Sequence, residues 1–172
     1  NNSGDSDGNL SLIFSVLDRD GVDNCSLIFN GELNQTENSI TKETNISFEI
    51  SNLGVGIYNW SVNCSDAANH QSSSVMNFLS VIYLDSFGGS TTNLSLVDVT
   101  NISYFVLENV EQGRINFSEN LDLSNGSDLS SFVNVSFNRV EVNSSGLPQI
   151  NKSARLYLYN LNFKLCCFST YY

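Results

Sequence analysis

The sequence has few of the residues on which most catalytic and nucleic-acid-binding proteins depend. Its 172 residues contain one histidine, one proline and one methionine, and the seven Lys and Arg are outnumbered by 18 Asp and Glu, for a formal net charge of −11. A surface with so few cations cannot neutralise a phosphate backbone. We therefore expect no nucleic-acid partner.

Long apolar runs are also missing. No stretch of about 18 apolar residues is present, so we expect no membrane span within this sequence. Residues 1–8 are too polar to be a signal peptide. We expect any signal peptide or membrane anchor to lie outside the sequence.

The side chains that support hydrolysis are scarce. The single histidine, His70, is expected to lie in an exposed loop, so no base is positioned beside a nucleophile. The acidic pairs Asp5/Asp7 and Asp18/Asp20 fall in predicted turns, with no aromatic cleft of the kind that surrounds glycosidase carboxylates. No Gly-rich phosphate loop is present. We predict that the protein is not an enzyme and holds no cofactor.

The stretch of residues 56–69 is the clearest structural signal. Its strand portion alternates between two sets of residues: Tyr58, Trp60, Val62 and Cys64 on one parity, and Asn59, Ser61, Asn63 and Ser65 on the other. This period of two predicts a strand with one buried face. Tyr58 and Trp60 are the predicted core residues, and the asparagines point to water.

N-glycosylation sequons are unusually frequent. Fourteen of the 25 asparagines begin an Asn-x-Ser/Thr sequence, whereas chance placement of 28 Ser and 7 Thr would give roughly five. The predicted acceptors are Asn1, Asn9, Asn24, Asn34, Asn45, Asn59, Asn63, Asn93, Asn101, Asn116, Asn125, Asn134, Asn143 and Asn151. In many of them the middle residue is apolar or Cys, which on a strand places Asn and Ser outside. We expect N-linked glycans on most of these sites, including Asn45, Asn59, Asn116 and Asn134.

The four cysteines fall into two groups. Cys25 and Cys64 share inward parity on predicted strands that we expect to face each other, and we predict a disulfide that closes a loop of about 40 residues and contributes roughly 3–4 kcal/mol. The absence of Cys-x-x-Cys and of a nearby histidine disfavours zinc. Cys166 and Cys167 are adjacent. A vicinal bridge, a bond to another chain and a bond to residues beyond this sequence all stay open.

One acidic turn has a spacing related to calcium sites. Asp18, Asp20 and Asp23 surround Gly21 in an Asp-x-Asp-Gly-x-Asp sequence, which resembles part of a calcium-binding loop but lacks its later bidentate Glu. Asp and Gly are also ordinary turn residues. Calcium is therefore a possible ligand here, and a plain turn is the alternative.

The strand pattern divides the chain into two all-β domains, residues 1–83 and 84–172, with the Gly-rich stretch 86–92 at the boundary. In the first domain we predict strands at 10–17, 25–29, 44–50, 56–65 and 74–83, and an Asn30-Gly31 hairpin turn. In the second we predict strands at 94–97, 103–107, 114–117, 133–137, 140–142 and 154–163. A parity change predicts a bulge or a corner near Asn138-Arg139.

Particular residues of the first domain carry a resemblance. Asp18, Cys25-Ser26-Leu27 and the series Leu53-Gly54, Tyr58, Trp60, Val62, Cys64, Asp66 and Asn69 resemble the immunoglobulin-like domains of archaeal cell-surface glycoproteins, over about residues 9–83. The resemblance implies an immunoglobulin-like β-sandwich with Trp60 packed near the bridge between the two cysteines. It also implies a further strand, with a Pro-flanked apolar run, ahead of residue 10. Residues 145–154 resemble a β module that follows such domains.

These features predict a structural function. We expect a heavily N-glycosylated extracellular protein at the cell surface, self-assembling as the subunit of a pilus-like filament or a surface layer. The alternative is an adhesin that recognises a partner cell or polysaccharide, and a third is an accessory domain of a secreted enzyme. The identity of the glycan and the symmetry of any polymer are left open.

Assembly by strand donation follows from the strand count. An immunoglobulin-like sandwich needs about seven strands, and fewer are readable before residue 84, so one edge is expected to be open. We expect the acceptor edge beside residues 10–17. The donor is expected in residues 154–165, followed by Cys166 and Cys167, or in another part of a longer polypeptide that precedes this sequence.

Overall fold

The computed structural model describes residues 2–18 and 21–161. The described chain is mostly β and has no helix of seven or more residues, which confirms the β-rich class. The strands are β1 (Asn2–Asp5), β2 (Leu10–Phe14), β3 (Asn24–Phe29), β4 (Glu32–Glu37), β5 (Ile46–Ile50), β6 (Gly56–Ser65), β7 (Gln71–Ser73), β8 (Asn77–Tyr83), β9 (Val106–Asn109), β10 (Gly113–Phe117), β11 (Ser127–Asp128), β12 (Val133–Ser136), β13 (Arg139–Val142) and β14 (Ala154–Leu158). Three 3₁₀ helices span Leu94–Leu96, Leu129–Ser131 and Pro148–Ile150.

The largest sheet is built around β6. Its strand order is β1-β8-β6-β3-β4, with β7 also paired to β6 and β11 to β8. β6 is antiparallel to β3, β7 and β8, whereas β1 and β11 run parallel to β8. Asn30 and Gly31 close the β3–β4 hairpin with φ of 52° and 82°. This is the left-handed conformation that two-residue hairpin turns require and that Asn-Gly supplies.

A second, smaller sheet packs on one face of the first. It consists of β2 and β5, paired antiparallel from Leu10 opposite Ile50 to Phe14 opposite Ile46. Apolar side chains of both sheets form the first core: Leu10, Leu12, Cys25, Leu27, Phe48, Val62, Leu79 and Val81. Phe14 and Phe48 stack within the small sheet at a centroid separation of 5.1 Å. The first half, residues 2–83, is thus two layers of sheet, one much wider than the other.

The second half, residues 84–161 of the described chain, is built from shorter strands and more loop. β14, β10 and β9 form a three-stranded sheet, and β12 and β13 form a hairpin. Its core contains Ile82, Leu84, Leu94, Val99, Ile102, Phe105, Leu107, Ile115, Phe117, Leu121, Leu123, Leu129, Val133, Val135, Leu147 and Ile150. Phe105 and Phe117 meet there at 6.1 Å between ring centroids.

β8 joins the two cores. Leu79 and Val81 belong to the first core and Ile82 to the second, because residues of opposite parity on one strand face opposite sides of the sheet. The buried Ser80 hydroxyl donates a hydrogen bond to the Ser124 carbonyl at 2.6 Å. Close packing also restricts Gly4, where a Cβ atom would lie 2.7 Å from Val99 Cγ1.

Several sequence-based strand assignments need correction. The strand predicted at 94–97 is a 3₁₀ helix, because the Asn93 side chain accepts a hydrogen bond from Ser95 N and caps the turn. The bulge or corner predicted near Asn138-Arg139 is a two-residue hairpin turn, since Ser136 pairs with Arg139 and Asn138 has a φ of 56°. The predicted donor region is in part already paired, because Ala154–Leu158 is bonded to β10 of the same chain.

Four strands were not predicted: β1, β4, β7 and β11. All four are predominantly polar and lack the apolar alternation that identifies a half-buried strand. β1 bears on the expectation of a missing edge strand, because it occupies an edge position beside β8. Apart from β11, the strands of the first half come from residues 2–83.

Candidate functional site

A disulfide joins Cys25 and Cys64. These residues lie directly opposite each other on β3 and β6, with 4.0 Å between their Cα atoms. In an immunoglobulin core the bridge connects two sheets, whereas here it links neighbouring strands of one sheet. The expected packing arrangement, in which the two strands face each other across the core, is therefore wrong. The common parity of the two cysteines indicated a shared face but not which strands were neighbours.

The two predicted core aromatics lie at the margin of the first core. Tyr58 and Trp60 are half-buried and pack against the cluster, whose centre is formed by residues such as the fully buried Leu27. The Tyr58 ring stacks on Phe29 at 5.5 Å, and its hydroxyl donates to the Gly54 carbonyl at 2.9 Å. Their partial exposure follows from the narrow second layer, which does not cover the whole face of the wide sheet.

A groove of about 350 Å³ opens where the two-stranded sheet of β2 and β5 ends. One wall is segment 14–18, which continues β2, and the other is the end of β6 together with residues 70–74. Its apolar lining comprises Phe14, Val16, Leu17, Val22, Val62 and Cys64. Asp18 and Asp66 also line it. The other nine lining residues are polar, most of them serines, so the groove combines apolar side chains with a largely polar wall that includes two carboxylates. It lies beside residues 10–17, the edge at which the sequence analysis expects a donated strand to pair.

His70 and Asp66 form a hydrogen-bonded pair at this groove. His70 Nδ1 lies 2.7 Å from Asp66 Oδ2, and Asp66 Oδ1 accepts hydrogen bonds from the backbone N–H groups of Ala68 and His70. The bond to the His70 side chain is the largest cause of the lowered pKa of Asp66. The His70 side chain is 83% exposed, as expected for a loop histidine. The pair shapes the tight turn between β6 and β7.

The acidic turn predicted as a calcium candidate is only partly described. Asp18 Oδ2 accepts a hydrogen bond from Gly21 N at 2.8 Å, which is the behaviour of a turn-capping residue. Asp23 Oδ2 accepts from Asn24 Nδ2 at 3.1 Å. Asp20 lies outside the described residues. Within residues 2–18 and 21–161, no group of three or more His, Cys, Asp or Glu side chains is arranged to hold a metal ion.

Most of the predicted glycosylation acceptors lie on the surface. The exposed ones are Asn9, Asn34, Asn45, Asn93, Asn101, Asn125, Asn134, Asn143 and Asn151. They come from both halves of the molecule, from strands as well as loops. Asn1 lies outside the described residues. The exposed acceptors therefore form a dispersed set rather than one patch.

Four acceptors are less accessible than the strand pattern predicts: Asn24, Asn59, Asn63 and Asn116 are half-buried. The Oδ1 atoms of Asn63 and Asn116 are buried and have no hydrogen-bond partner. The expectation that Asn59 and Asn116 are fully exposed is therefore wrong. Both lie on central strands, β6 and β10, where neighbouring strands on each side crowd an outward side chain.

The outer face of the wide sheet combines acceptors with apolar side chains. Asn59 lies directly opposite Phe78 of β8, and Ile57 shares its face by strand alternation. Phe78 is 47% exposed and Ile57 is 54% exposed. A sugar attached to Asn59 would lie over these apolar side chains. This face therefore combines uncovered apolar surface with a predicted attachment point for carbohydrate.

A charged network in the second half was not predicted. The half-buried Glu108 on β9 accepts hydrogen bonds from the Tyr159 hydroxyl, at 2.6 Å, and from the backbone N–H of Ser90. These bonds, with a smaller contribution from the charge of Arg114, lower the pKa of Glu108 to about 2. Arg114 itself lies 4.4 Å from the centre of the Tyr157 ring. The network holds segment 88–92 and the end of β14 against β9.

No local motif could have revealed this network, since its members come from three separate segments. Within the sequence, the Gly88-Gly89 pair marks only a turn and gives no sign of its partner Glu108. Gly89 has a φ of 56°, in the left-handed region that favours glycine, and a Cβ atom there would clash with Glu108 Oε2. Glycine is therefore required at that position for the carboxylate to reach Ser90.

The chain matches no protein-family model, no curated protein and no solved structure. In the part of the chain that the structure describes, no helix is long and apolar enough to cross a membrane. The resemblance to immunoglobulin-like domains of archaeal surface proteins therefore stays a prediction.

Proposed function

We propose that this chain is a structural, N-glycosylated extracellular protein, a subunit of a cell-surface filament or surface layer. The observation that carries the proposal is the set of nine exposed sequon asparagines, distributed over both halves of a β-rich molecule. Chance accounts for roughly five sequons in the whole sequence, and a dispersed coat suits a protein that meets solvent on most sides. The immunoglobulin-like character of residues 9–83 belongs to this proposal.

The disulfide supports an oxidising compartment. Bridges between cysteines persist in secreted and surface proteins and are rare where glutathione keeps thiols reduced. The Cys25–Cys64 bond is therefore in keeping with an extracellular location. The low content of Lys and Arg removes one common means of keeping a surface soluble, and the asparagine-linked sugars would supply another.

A glycan coat would also shield the unpaired strand edges and the apolar outer face of the wide sheet. Exposed strand edges and uncovered apolar surface promote unwanted association. Sugars near Phe78 and on the loops would limit such contacts without adding charge. On this proposal the glycans define which surfaces of the subunit stay available for ordered contact.

The experiment is glycan mapping on protein purified from its native source, or from a host that glycosylates Asn-x-Ser/Thr. An intact mass well above the 19.0 kDa of the polypeptide is expected, with higher occupancy at the nine exposed sites than at the four half-buried ones. Asn45→Gln should remove one glycan. Asn38→Gln is the matched control, since Asn38 is also exposed but begins no sequon. A mass equal to that of the polypeptide would contradict the proposal.

The alternative function is that of an adhesin, favoured by one observation, the groove between residues 14–18 and 70–74. Electron microscopy of the purified glycoprotein separates the two. Ordered filaments or lattices support a structural subunit. Monodisperse particles that adhere to cells or polysaccharide support an adhesin.

A further inference from the structure

The strand β14 leaves one edge of the three-stranded sheet open. Among the described residues, Ala154–Leu158 pairs only with β10, and it does so without a shift in register. In the middle of this strand Leu156 is 55% exposed, although it lies opposite the buried Ile115. A regular edge strand with exposed apolar side chains is a template for pairing with another strand.

Two hydrogen bonds at the ends of the β10–β14 pairing show how its ladder alternates. Ser118 N donates to the Ser153 carbonyl at 2.8 Å, and Tyr159 N donates to the Gln112 carbonyl at 2.9 Å. Hydrogen-bonded and non-hydrogen-bonded pairs alternate along antiparallel strands. Every second residue from Ser153 to Tyr159 is therefore bonded to β10.

The residues between these direct their backbone groups away from β10. They are Ala154, Leu156 and Leu158, whose N–H and C=O groups point to the open edge and have no backbone partner among the described residues. A strand that pairs here in antiparallel orientation must offer complementary groups at the same spacing. A second copy of β14 does so. With Leu156 opposite Leu156 of the second copy, Ala154 of each copy lies opposite Leu158 of the other.

The side chains of β14 are also complementary to those of a second copy. In the same register Arg155 lies opposite Tyr157 of the second copy, in a non-hydrogen-bonded pair, where side chains approach most closely. A guanidinium beside a tyrosine ring is attractive, and Arg114 lies 4.4 Å from the centre of this ring within one copy. On the opposite face the two Leu156 side chains adjoin, which covers surface that is exposed in one copy.

Charge also favours this edge for a contact between two copies. The formal net charge of −11 makes the copies repel each other, and all 18 Asp and Glu residues precede position 142. β14 therefore carries no acidic residue, whereas Lys152 and Arg155 in the same segment are cationic. Two copies that meet through β14 bring together strands without carboxylates.

The edge strand β4 of the wide sheet is protected in ways that β14 is not. Asn34 is the extra residue of a β-bulge in β4 and also begins a sequon. Glu32 and Glu37 lie at the two ends of the strand. Bulges and charged side chains prevent edge-to-edge pairing. The strand β14 has no bulge, no carboxylate and no sequon, so its edge is available for pairing.

We infer that the β14 strands of two copies of this chain pair antiparallel about a two-fold axis, which joins two three-stranded sheets into one sheet of six strands. The contact is isologous, since each copy offers the same strand, and it closes with two copies. It cannot form within one copy, because β14 would have to pair with itself. The inference goes beyond the proposed function, since this contact does not depend on glycosylation. A filament of such dimers would need a second contact on another surface.

Disulfide trapping in the full-length chain tests the contact. All variants carry Cys166→Ser/Cys167→Ser, which removes intermolecular disulfides from these positions. Leu156→Cys places two thiols directly opposite each other, with about 5.5 Å between their Cα atoms, a separation that a disulfide spans. In glutathione buffer we expect the covalent dimer to form at least tenfold faster than for Leu33→Cys. Leu33 is the matched control, because it lies on the edge strand β4 and is 67% exposed. Equal rates at the two positions would overturn the inference.

The register has a test of its own. Ala154→Cys and Leu158→Cys proteins, in the same serine background, should crosslink when they are mixed, because position 154 of one copy lies opposite position 158 of the other. Each protein alone should crosslink more slowly, since its two thiols are then four residues apart along the strands, about 13 Å. Equal crosslinking in the mixture and in the separate proteins would contradict the antiparallel pairing.

Sedimentation velocity supplies a readout that does not depend on crosslinking. Leu156→Asp, in the same serine background, places two carboxylates opposite each other. It should weaken self-association at least tenfold, which corresponds to about 1.4 kcal/mol. Leu33→Asp is the matched control and should leave self-association unchanged. Equal weakening by both changes, or by neither, contradicts the inference. Circular dichroism establishes that each variant is folded.

The inference and the proposed function can fail separately. Glycosylated protein that forms filaments without a crosslink at position 156 would overturn the inference and leave the proposed function standing. A β14 dimer of protein that carries no glycan in its native source would do the opposite.

Discussion

The two halves of the molecule are stabilised in different ways. The first half is richer in strands, yet its core holds eight buried residues among those described, whereas the core of the second half holds sixteen. The first half adds a disulfide. The second half relies on apolar burial and on hydrogen bonds that side chains such as Asn93, Asp98 and Glu108 accept from nearby backbone N–H groups.

The difference shows that strand content and core size are separate quantities. A wide sheet buries one face only where a second layer covers it. In the first half the covering layer has two strands, β2 and β5, so Trp60 and Tyr58 stay partly exposed and a groove remains. In the second half, loops and 3₁₀ helices turn their leucines inward and enclose a larger core. Three predictions test this contrast.

The largest effect is expected from a cavity in the second core. Phe105 is fully buried, and Phe105→Ala should lower the free energy of unfolding by about 3–5 kcal/mol, since buried contacts are lost and a cavity remains. Urea unfolding followed by fluorescence measures the change. Phe137→Ala is the control, because Phe137 is 61% exposed and should change stability by less than about 0.5 kcal/mol. Similar losses from both would show that the second core is not tightly packed.

Loss of the disulfide should act mainly on the first half. Cys25→Ala/Cys64→Ala removes a crosslink across 39 residues of sequence, and we expect a loss of roughly 3–4 kcal/mol. Native-state hydrogen exchange should show faster exchange in β3 and β6 than in β9 and β10. The Cys25→Ala/Cys64→Ala variant and the protein with the intact disulfide both carry Cys166→Ser/Cys167→Ser. Equal acceleration in all four strands would mean that the halves unfold as one unit.

A smaller, pH-dependent effect is expected in the charged network. Tyr159→Phe removes a hydrogen bond to Glu108 and should cost roughly 1.5 kcal/mol near neutral pH. The folded-state pKa of Glu108, about 2, lies below its ordinary value of 4.5, so this stabilisation is present above pH 4.5 and is lost as the pH falls toward 2.

Unfolding measured between pH 7 and pH 2 should therefore show the two proteins converging in acid. Tyr157→Phe is the control, because the ring beneath Arg114 is retained and little change is expected. A stability difference for Tyr159→Phe that stays constant down to pH 2 would contradict the assignment of the effect to the ionised carboxylate.

Part of the fold could be predicted because period-two patterns are local. The strands β3, β6, β10 and β12 were placed within one or two residues, and each alternates apolar with polar side chains. β4 was missed because its six residues, Glu32–Glu37, are mostly polar and exposed. Its strand conformation depends on backbone pairing to β3, and backbone pairing has no signature in side-chain pattern.

The predictions of the candidate sites were right where residue parity along one strand decides the outcome and wrong where strand order decides it. Parity indicated that Cys25 and Cys64 share a face, but their adjacency within one sheet depends on strand order. Asn116 alternates outward as predicted, yet it is half-buried because β10 lies between β9 and β14. The groove and the Glu108 network each combine segments that are distant in sequence, so no local pattern could locate them.

The sequence by itself determined the β-rich class, the positions of the sequons, the inward parity of the two cysteines and the low positive charge. These properties depend on residue type and on spacing along one strand. Only the tertiary structure decided that the disulfide lies within one sheet, that β8 contributes to both cores and that a groove opens beside β2. Those outcomes depend on which strands become neighbours and how much of one sheet another covers, and that is set by the packing of the whole chain.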